Sequence, residues 1–179
     1  MKQPATYYHV KGCDSRVQVH QGGTRSGKTF SILTALIELC HANENSGAVI
    51  TIARKTFPAL RATAMRDFFS ILEREDCYNV DQHNKSEATY VLWGNLVEFI
   101  SVDQPQKVRG RKRDILFINE ANELALEDWR QLALRTTGKI IVDFNPSDEY
   151  HWLYESVIPR PDSSFFRTTY KDNPYLLGS

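Results

Sequence analysis

No run of this sequence is apolar for long enough to span a bilayer or to form the core of a secretory leader, so neither a membrane-embedded nor an exported protein is expected. Cysteine is scarce. Cys13, Cys40 and Cys77 are three in number, widely spaced and without a C-x-x-C pair, which argues against a disulfide framework and for reduced, buried thiols in a cytosolic compartment. The five histidines, His9, His20, His41, His83 and His151, form no metal-ligand pattern. Excess charge is also missing: 22 Lys and Arg balance 22 Asp and Glu, so the chain lacks the basic footprint of a duplex-coating protein, and any nucleic-acid contact must be local. There is no internal repeat and no low-complexity tract. A chain of 179 residues, 41% of them hydrophobic, is one globular domain able to bury its own core.

What is present is a phosphate loop. Gly22-Gly23-Thr24-Arg25-Ser26-Gly27-Lys28-Thr29 spells G-x-x-x-x-G-K-[ST]. Glycines let successive backbone N–H groups turn inward on anionic oxygens, the Lys28 ammonium reaches the outer phosphates of ATP, and the Thr29 hydroxyl holds Mg²⁺. The flanks suit the motif. Arg16 to His20 alternates polar and apolar residues like a strand, and Ile32, Leu33, Leu36, Ile37 and Cys40 fall at helical spacing, so the loop lies where a strand gives way to a helix.

Further along, residues 43–47 read as a loop and Ala48 to Ala53 as a buried parallel strand. Pro58 opens a second helix with an apolar face of Leu60, Met65, Phe68, Phe69 and Leu72. Residues 88–93 and 96–102 form two β-like runs joined at Gly94-Asn95, which reads as a hairpin turn and nothing more. Strands over Ile115 to Ile118, Lys139 to Phe144 and Phe165 to Thr169 alternate with helices over Leu124 to Leu134 and Tyr150 to Val157. This order predicts an α/β fold with a mostly parallel central sheet flanked by helices and a β-hairpin insertion.

A phosphate loop needs an acidic segment at the end of a neighbouring strand to manage Mg²⁺ and orient the attacking water. In Ile115-Leu116-Phe117-Ile118-Asn119-Glu120 four apolar residues drive a strand through the core, so the polar pair emerges at its C-terminal edge. Glu120 is the candidate base; the plainer alternative is a helix-start glutamate favoured by the helix dipole. Asn119 stands where an Asp usually helps hold Mg²⁺. Its amide can still accept from a metal-bound water, but it lacks the charge.

With these pieces the chain resembles the ATPase domain of the large terminase subunit of tailed bacteriophages and prophages, the motor that packages DNA. The resemblance rests on GGTRSGKT, on Ala53-Arg54-Lys55-Thr56 with Leu60-Arg61, on Phe117-Ile118-Asn119-Glu120-Ala121-Asn122-Glu123, and on Asp143-Phe144-Asn145-Pro146. In one branch of that family an INEAN segment replaces the usual acidic pair, which suits Asn119. The resemblance implies a P-loop NTPase of the additional-strand catalytic-glutamate type spanning residues 1–179, with ATP and Mg²⁺ as cofactors. As partners it implies double-stranded DNA, a portal protein and a small terminase subunit. It also implies a homo-oligomeric ring, a pentamer, active in the cytoplasm of an infected or lysogenic bacterial host. Family members carry a C-terminal ribonuclease H-like nuclease domain; none is read after Tyr170, so an excised or truncated ATPase domain is expected.

The resemblance also suggests individual roles. Arg25 can contact the γ-phosphate or sense its loss, or can be a solvated loop charge. Asn145 and Ser147 fall in the family's coupling motif, although Asn-Pro is turn chemistry and Ser147 before Asp148-Glu149 makes a good helix cap. The basic run Lys107-Val108-Arg109-Gly110-Arg111-Lys112-Arg113 has three possible uses: a solvated loop, a DNA-facing patch, or a subunit-edge loop. In the last use an arginine enters the neighbouring active site, with Arg109 the first choice and Arg111 the second. For the adenine, Tyr7, Tyr8 or Arg16 could stack on the base and Gln18 could bond its edge. Two other classes compete with a motor ATPase. A P-loop transferase would need an arginine-rich lid and no water-orienting glutamate; a non-catalytic nucleotide-binding module is encouraged only by Asn119.

Overall fold

The computed structural model of the chain describes residues 2–146 and 151–176. Helix α1 (Ala5–Gly12) leads into β1 (Val17–Gly22), and the loop after it feeds α2 (Lys28–Ala42). Strand β2 (Val49–Arg54) follows, then α3 (Phe57–Leu60), a π turn (Arg61–Met65) and α4 (Arg66–Arg74). Three strands come next, β3 (His83–Asn84), β4 (Thr89–Leu92) and β5 (Asn95–Ser101), with α5 (Pro105–Gly110) after them. The remainder is β6 (Ile115–Ile118), α6 (Leu126–Leu134), β7 (Ile140–Phe144), a π turn (Leu153–Val157) and β8 (Ser163–Thr168).

The strands form one eight-stranded sheet in the order β3-β4-β5-β2-β6-β7-β1-β8. Every pairing from β5 across to β8 is parallel, and β4 and β3 add antiparallel strands at one edge. Apolar residues alternate between two cores, as the period of two along a strand requires. Ile141, Phe117, Ile50 and Ile52 face α1, α2 and α4, while Ile140, Val142, Leu116 and Ile118 face α5 and α6. Strand β7 lies between the phosphate-loop strand β1 and the acidic strand β6, which is the extra strand the family resemblance implies.

Several local readings change. The helix opened by Pro58 is interrupted by the π turn, where the Thr63 hydroxyl donates to the Ala59 carbonyl at 2.7 Å, a back-bond of the kind that disturbs helical turns. Asn95 is more than a turn residue. Its side chain is 1% exposed; Oδ1 accepts from the Ser46 hydroxyl and the Ala48 N–H, and Nδ2 donates to the Cys40, Asn43 and Trp93 carbonyls, so it pins the end of α2 to the sheet edge. The hairpin is present, β4 pairing antiparallel with β5, and it is continuous with the central sheet because β5 also pairs in parallel with β2. Nor is the basic run one loop: its first half is α5, and Arg113 is 1% exposed, donating to Thr51 Oγ1 and to the Leu132 and Val108 carbonyls. Helix α1 went unanticipated, being short and weakly amphipathic; it is tied to α2 by Tyr7 and Lys11, both bonded to Glu38 Oε2 at 2.7 Å.

His20, on β1, is fully buried between the sheet and α1, with its ring stacked on Phe166 at 5.1 Å. Burial first, then the nearby His9 and Lys28, lowers its pKa to about 3. The unfolded chain therefore binds a proton near pH 6.5 that the native state refuses. His20 stability is fully present above that pH and is lost as the pH falls toward 3, by at most on the order of 5 kcal/mol. We predict that His20→Phe, which keeps the stack, flattens the pH dependence of the urea midpoint between pH 6.5 and 4. An unchanged slope would refute this.

Candidate active site

The loop after β1 turns tightly because two of its residues take positive φ, Arg25 (φ 68°) and Gly27 (φ 77°). Gly27 lets α2 begin at Lys28 with its N-terminus facing the loop. Gly22 serves a different need. A Cβ there would lie 2.7 Å from the Thr168 carbonyl, so glycine is required by the closeness of β8. Gly23 and Thr24 are exposed, Ser26 is buried, and the Arg25 side chain is exposed while its carbonyl accepts from Asn173 Nδ2 at 3.0 Å.

Lys28 is 6% exposed. Its ammonium donates to the Gly22 carbonyl (2.6 Å), Ser26 Oγ (3.2 Å) and Asn145 Oδ1 (3.0 Å). Burial lowers its pKa, and Asp143 and Glu120 oppose that shift. The Thr29 hydroxyl donates to Asp143 Oδ2 at 2.7 Å. Asp143 is fully buried near the end of β7, and accepts in addition from Asn119 Nδ2 (3.0 and 3.2 Å to its two oxygens) and from the Glu120 N–H (2.7 Å to Oδ1). Three elements thus meet on one carboxylate: the start of α2, the end of β6 and the end of β7.

Glu120 follows β6 with φ 52°, a left-handed conformation that is uncommon for a residue with a Cβ, and Asp143 holds its N–H. Burial, then Asp143, raises its pKa above the usual carboxylate range, with Arg54 and Lys28 pulling the other way. Burial also raises Asp143, against the hydrogen bonds it accepts and the charge of Lys28. Arg54, from the end of β2, forms an ion pair with Glu123 (2.9 Å) and donates to Thr63 Oγ1 (2.8 Å) and to Asn119 Oδ1 (3.4 Å).

These neighbours fix which way Asn119 faces. A carboxylate on one side demands a donor, and a guanidinium on the other demands an acceptor. The Asn119 oxygen is therefore turned to Arg54 and Thr63, and its NH₂ to Asp143 and Thr29. The sequence predicts an Asn119 oxygen offered to a metal-bound water; toward Thr29 and Asp143 the side chain instead presents its NH₂, and its oxygen faces Arg54 and Thr63.

The family model of the phage terminase large subunit matches residues 14–179. This chain belongs to that family. The terminase domain is similar to the large terminase of a thermophilic bacteriophage, with 18% identity and a TM-score of 0.82 over 97% of this chain and 47% of that chain. A complex of that phage's terminase with ATP-gamma-S gives 19% identity and a TM-score of 0.80, covering 97% of this chain and 46% of the other. The Thermus phage P74-26 large terminase ATPase domain gives 16% and 0.70 over 93% and 80%. At such identities these likenesses speak for the fold, and the chain spans just under half the length of the first two. No curated protein sequence matches it.

Not every residue singled out in the sequence reaches the terminase site. Gln18 is fully buried, and its amide donates to the Val10 and Cys13 carbonyls at the end of α1; it caps that helix, and its assignment to the adenine edge is corrected. Tyr7 bonds Glu38 on α2, and Arg16 donates to the Thr136 carbonyl, away from the phosphate loop. Tyr8 is exposed and accepts from the Gln3 N–H. Arg109 and Arg111 are exposed, and among the described residues no side-chain hydrogen bond or ion pair engages them. Ser147 lies outside the described residues, as does Tyr150. Asp143 and Arg54, to which the motifs by themselves give no role, are the two charged side chains that hold Thr29, Asn119 and Glu123 in place. The signal for Asp143 was an acidic residue within an otherwise apolar strand.

Proposed function

We propose that this chain is the ATP-hydrolysing domain of a DNA-packaging motor. The convergence of Lys28, Thr29, Asp143 and Glu120 at the C-terminal edge of adjacent parallel strands carries the reading, because it assembles a phosphate-binding end and a carboxylate within one pocket. The phosphate loop and the N-terminus of α2 bind the triphosphate, and Lys28 moves from its carbonyl and Asn145 partners to phosphate oxygens. Glu120 orients the attacking water; its raised pKa suits a group that must accept a proton near neutral pH. Asn145, bonded to Lys28, links loss of the γ-phosphate to the end of β7. Arg25 contacts the γ-phosphate from within the loop.

Bound Mg²⁺ would neutralise charge on the phosphates. Among the described residues no cluster of three or more His, Cys, Asp or Glu could hold a metal alone, which fits an ion bound jointly with the nucleotide. Thr29 would fit as its protein ligand: its hydroxyl donates to Asp143 and accepts from Asn119 Nδ2, which leaves one oxygen lone pair for the ion. The buried carboxylate at Asp143 also removes the one encouragement for a non-catalytic module, since the acidic charge that Asn119 lacks is present beside it.

In this reading the chain works on double-stranded DNA with a portal protein and a small terminase subunit, as one member of a pentameric ring in the host cytoplasm. Among the described residues no helix is long and apolar enough to cross a membrane. The test is phosphate release with and without duplex DNA and portal, on the wild type and on Lys28→Ala. We expect the substitution to lower turnover by at least about 10²-fold, in line with loss of a preorganised cation at a developing charge. Equal turnover in the two proteins would refute the site, and no response to DNA or portal would refute the motor.

A further inference from the structure

In P-loop hydrolases the acidic residue that supports the metal-bound nucleotide stands at the end of the acidic strand, and in this chain that position is Asn119. Strands β6 and β7 pair in parallel with Ile118 opposite Val142, so the next residues along, Asn119 and Asp143, lie level with each other. Their side chains are in direct contact, Asn119 Nδ2 to Asp143 Oδ1 at 3.0 Å. Both reach the same hydroxyl: Thr29 Oγ1 is 2.7 Å from Asp143 Oδ2 and 3.3 Å from Asn119 Nδ2. Amide and carboxylate are nearly equal in size, so exchanging them across this contact preserves the shape, the hydrogen bond and the total charge.

We propose that Asp143 is the acidic residue of the Mg²⁺-nucleotide site in this chain, the carboxylate having moved one strand across from position 119. It accepts the hydrogen bond of the Thr29 hydroxyl, so that a lone pair of that oxygen would be available to the ion, and it supplies the negative charge that Asn119 lacks. The same carboxylate fixes the N–H of Glu120, whose backbone is left-handed, so one side chain sets both the metal-binding hydroxyl and the water-orienting residue. Asn119 becomes the positioning group, with one face donating to Asp143 and the other accepting from Arg54. The inference rests on the reading of this pocket as an ATP site.

The test is a charge swap read by binding. Affinity for a fluorescent ATP analogue is measured with Mg²⁺ and with EDTA, for the wild type, Asp143→Asn, Asn119→Asp, the double variant and Lys28→Ala. In the wild type Mg²⁺ tightens binding. Asp143→Asn is expected to lose that gain by about 10- to 100-fold, the usual effect of removing a group that orients a metal ligand. It should bind the metal-free analogue at least as tightly as the wild type, because a negative charge beside the phosphates has gone; a misfolded protein would lose both. Asn119→Asp alone puts two carboxylates in contact and should weaken metal-free binding. The double variant should recover most of the Mg²⁺ gain. Full retention of that gain in Asp143→Asn, or a double variant no better than Asp143→Asn, would overturn the inference while leaving the ATP site intact. A wild type that binds no analogue, or a Lys28→Ala protein that binds as the wild type does, would overturn the ATP reading and this inference together.

Discussion

Glu120→Gln keeps nucleotide binding and slows hydrolysis by about 10²- to 10⁴-fold, the range a positioned general base contributes. The amide retains the shape of the side chain, and the backbone N–H still reaches Asp143, so the left-handed turn and the phosphate loop stay as they are. What is lost is the acceptor for the proton of the attacking water. The same substitution should raise stability at neutral pH. Burial and Asp143 raise the Glu120 pKa in the native state above its value of 4.5 in the unfolded chain, so the native state holds the proton more firmly. Stability therefore falls as the pH rises through that window, and above it the buried charge is a constant cost. Glutamine removes the cost. The melting temperature of Glu120→Gln should exceed that of the wild type at pH 7, and the two should converge below pH 4.5. Retained turnover would remove Glu120 from the base role; a melting temperature below the wild type at pH 7 would contradict the electrostatic account.

Arg109→Ala should be as damaging to turnover, by about 10³- to 10⁵-fold if it supplies the arginine that completes a neighbour's site. Within the basic run the structure removes Arg113 from contention and leaves both Arg109 and Arg111 exposed. Arg113 is spent inside the fold, tying α5 and α6 to Thr51, whereas Arg109 at the end of α5 is exposed and has no partner among the described residues. A residue acting in trans leaves two signatures. Specific activity of the wild type should rise with protein concentration, and mixing Arg109→Ala with Glu120→Gln should recover turnover, because one protein carries an intact base and the other an intact arginine. Flat activity on dilution and no recovery on mixing would assign Arg109 to the solvated surface.

Much of the site was legible in the chain itself. A phosphate loop between a strand and a helix is a local object: the spacing of glycines, lysine and threonine dictates where backbone N–H groups point, whatever the rest of the fold does. The acidic strand was legible for a related reason, since four consecutive apolar residues commit a short segment to the core and leave the polar pair at its end. Asp143 and Asn119 were harder. Each was readable by itself, but their contact depends on β7 lying between β1 and β6, and the order of strands in a sheet is not written in any single segment. Gln18 failed for a parallel reason: its proximity to the phosphate loop in sequence says nothing about α1, which lies over β1 and takes both of its donors.

The residue sequence alone determined the alternation of strands and helices, the phosphate loop and the carboxylate at Glu120, because these follow from periodicity and from backbone chemistry within a few residues. Tertiary structure decided who neutralises whom. It brought Asp143 level with Asn119, turned the Asn119 NH₂ toward Asp143, buried Arg113 while leaving Arg109 exposed, and gave Asn95 a place beneath the end of α2. The reason is physical: a buried polar group is defined by the partners that satisfy it, and those partners come from strands and helices far apart along the chain.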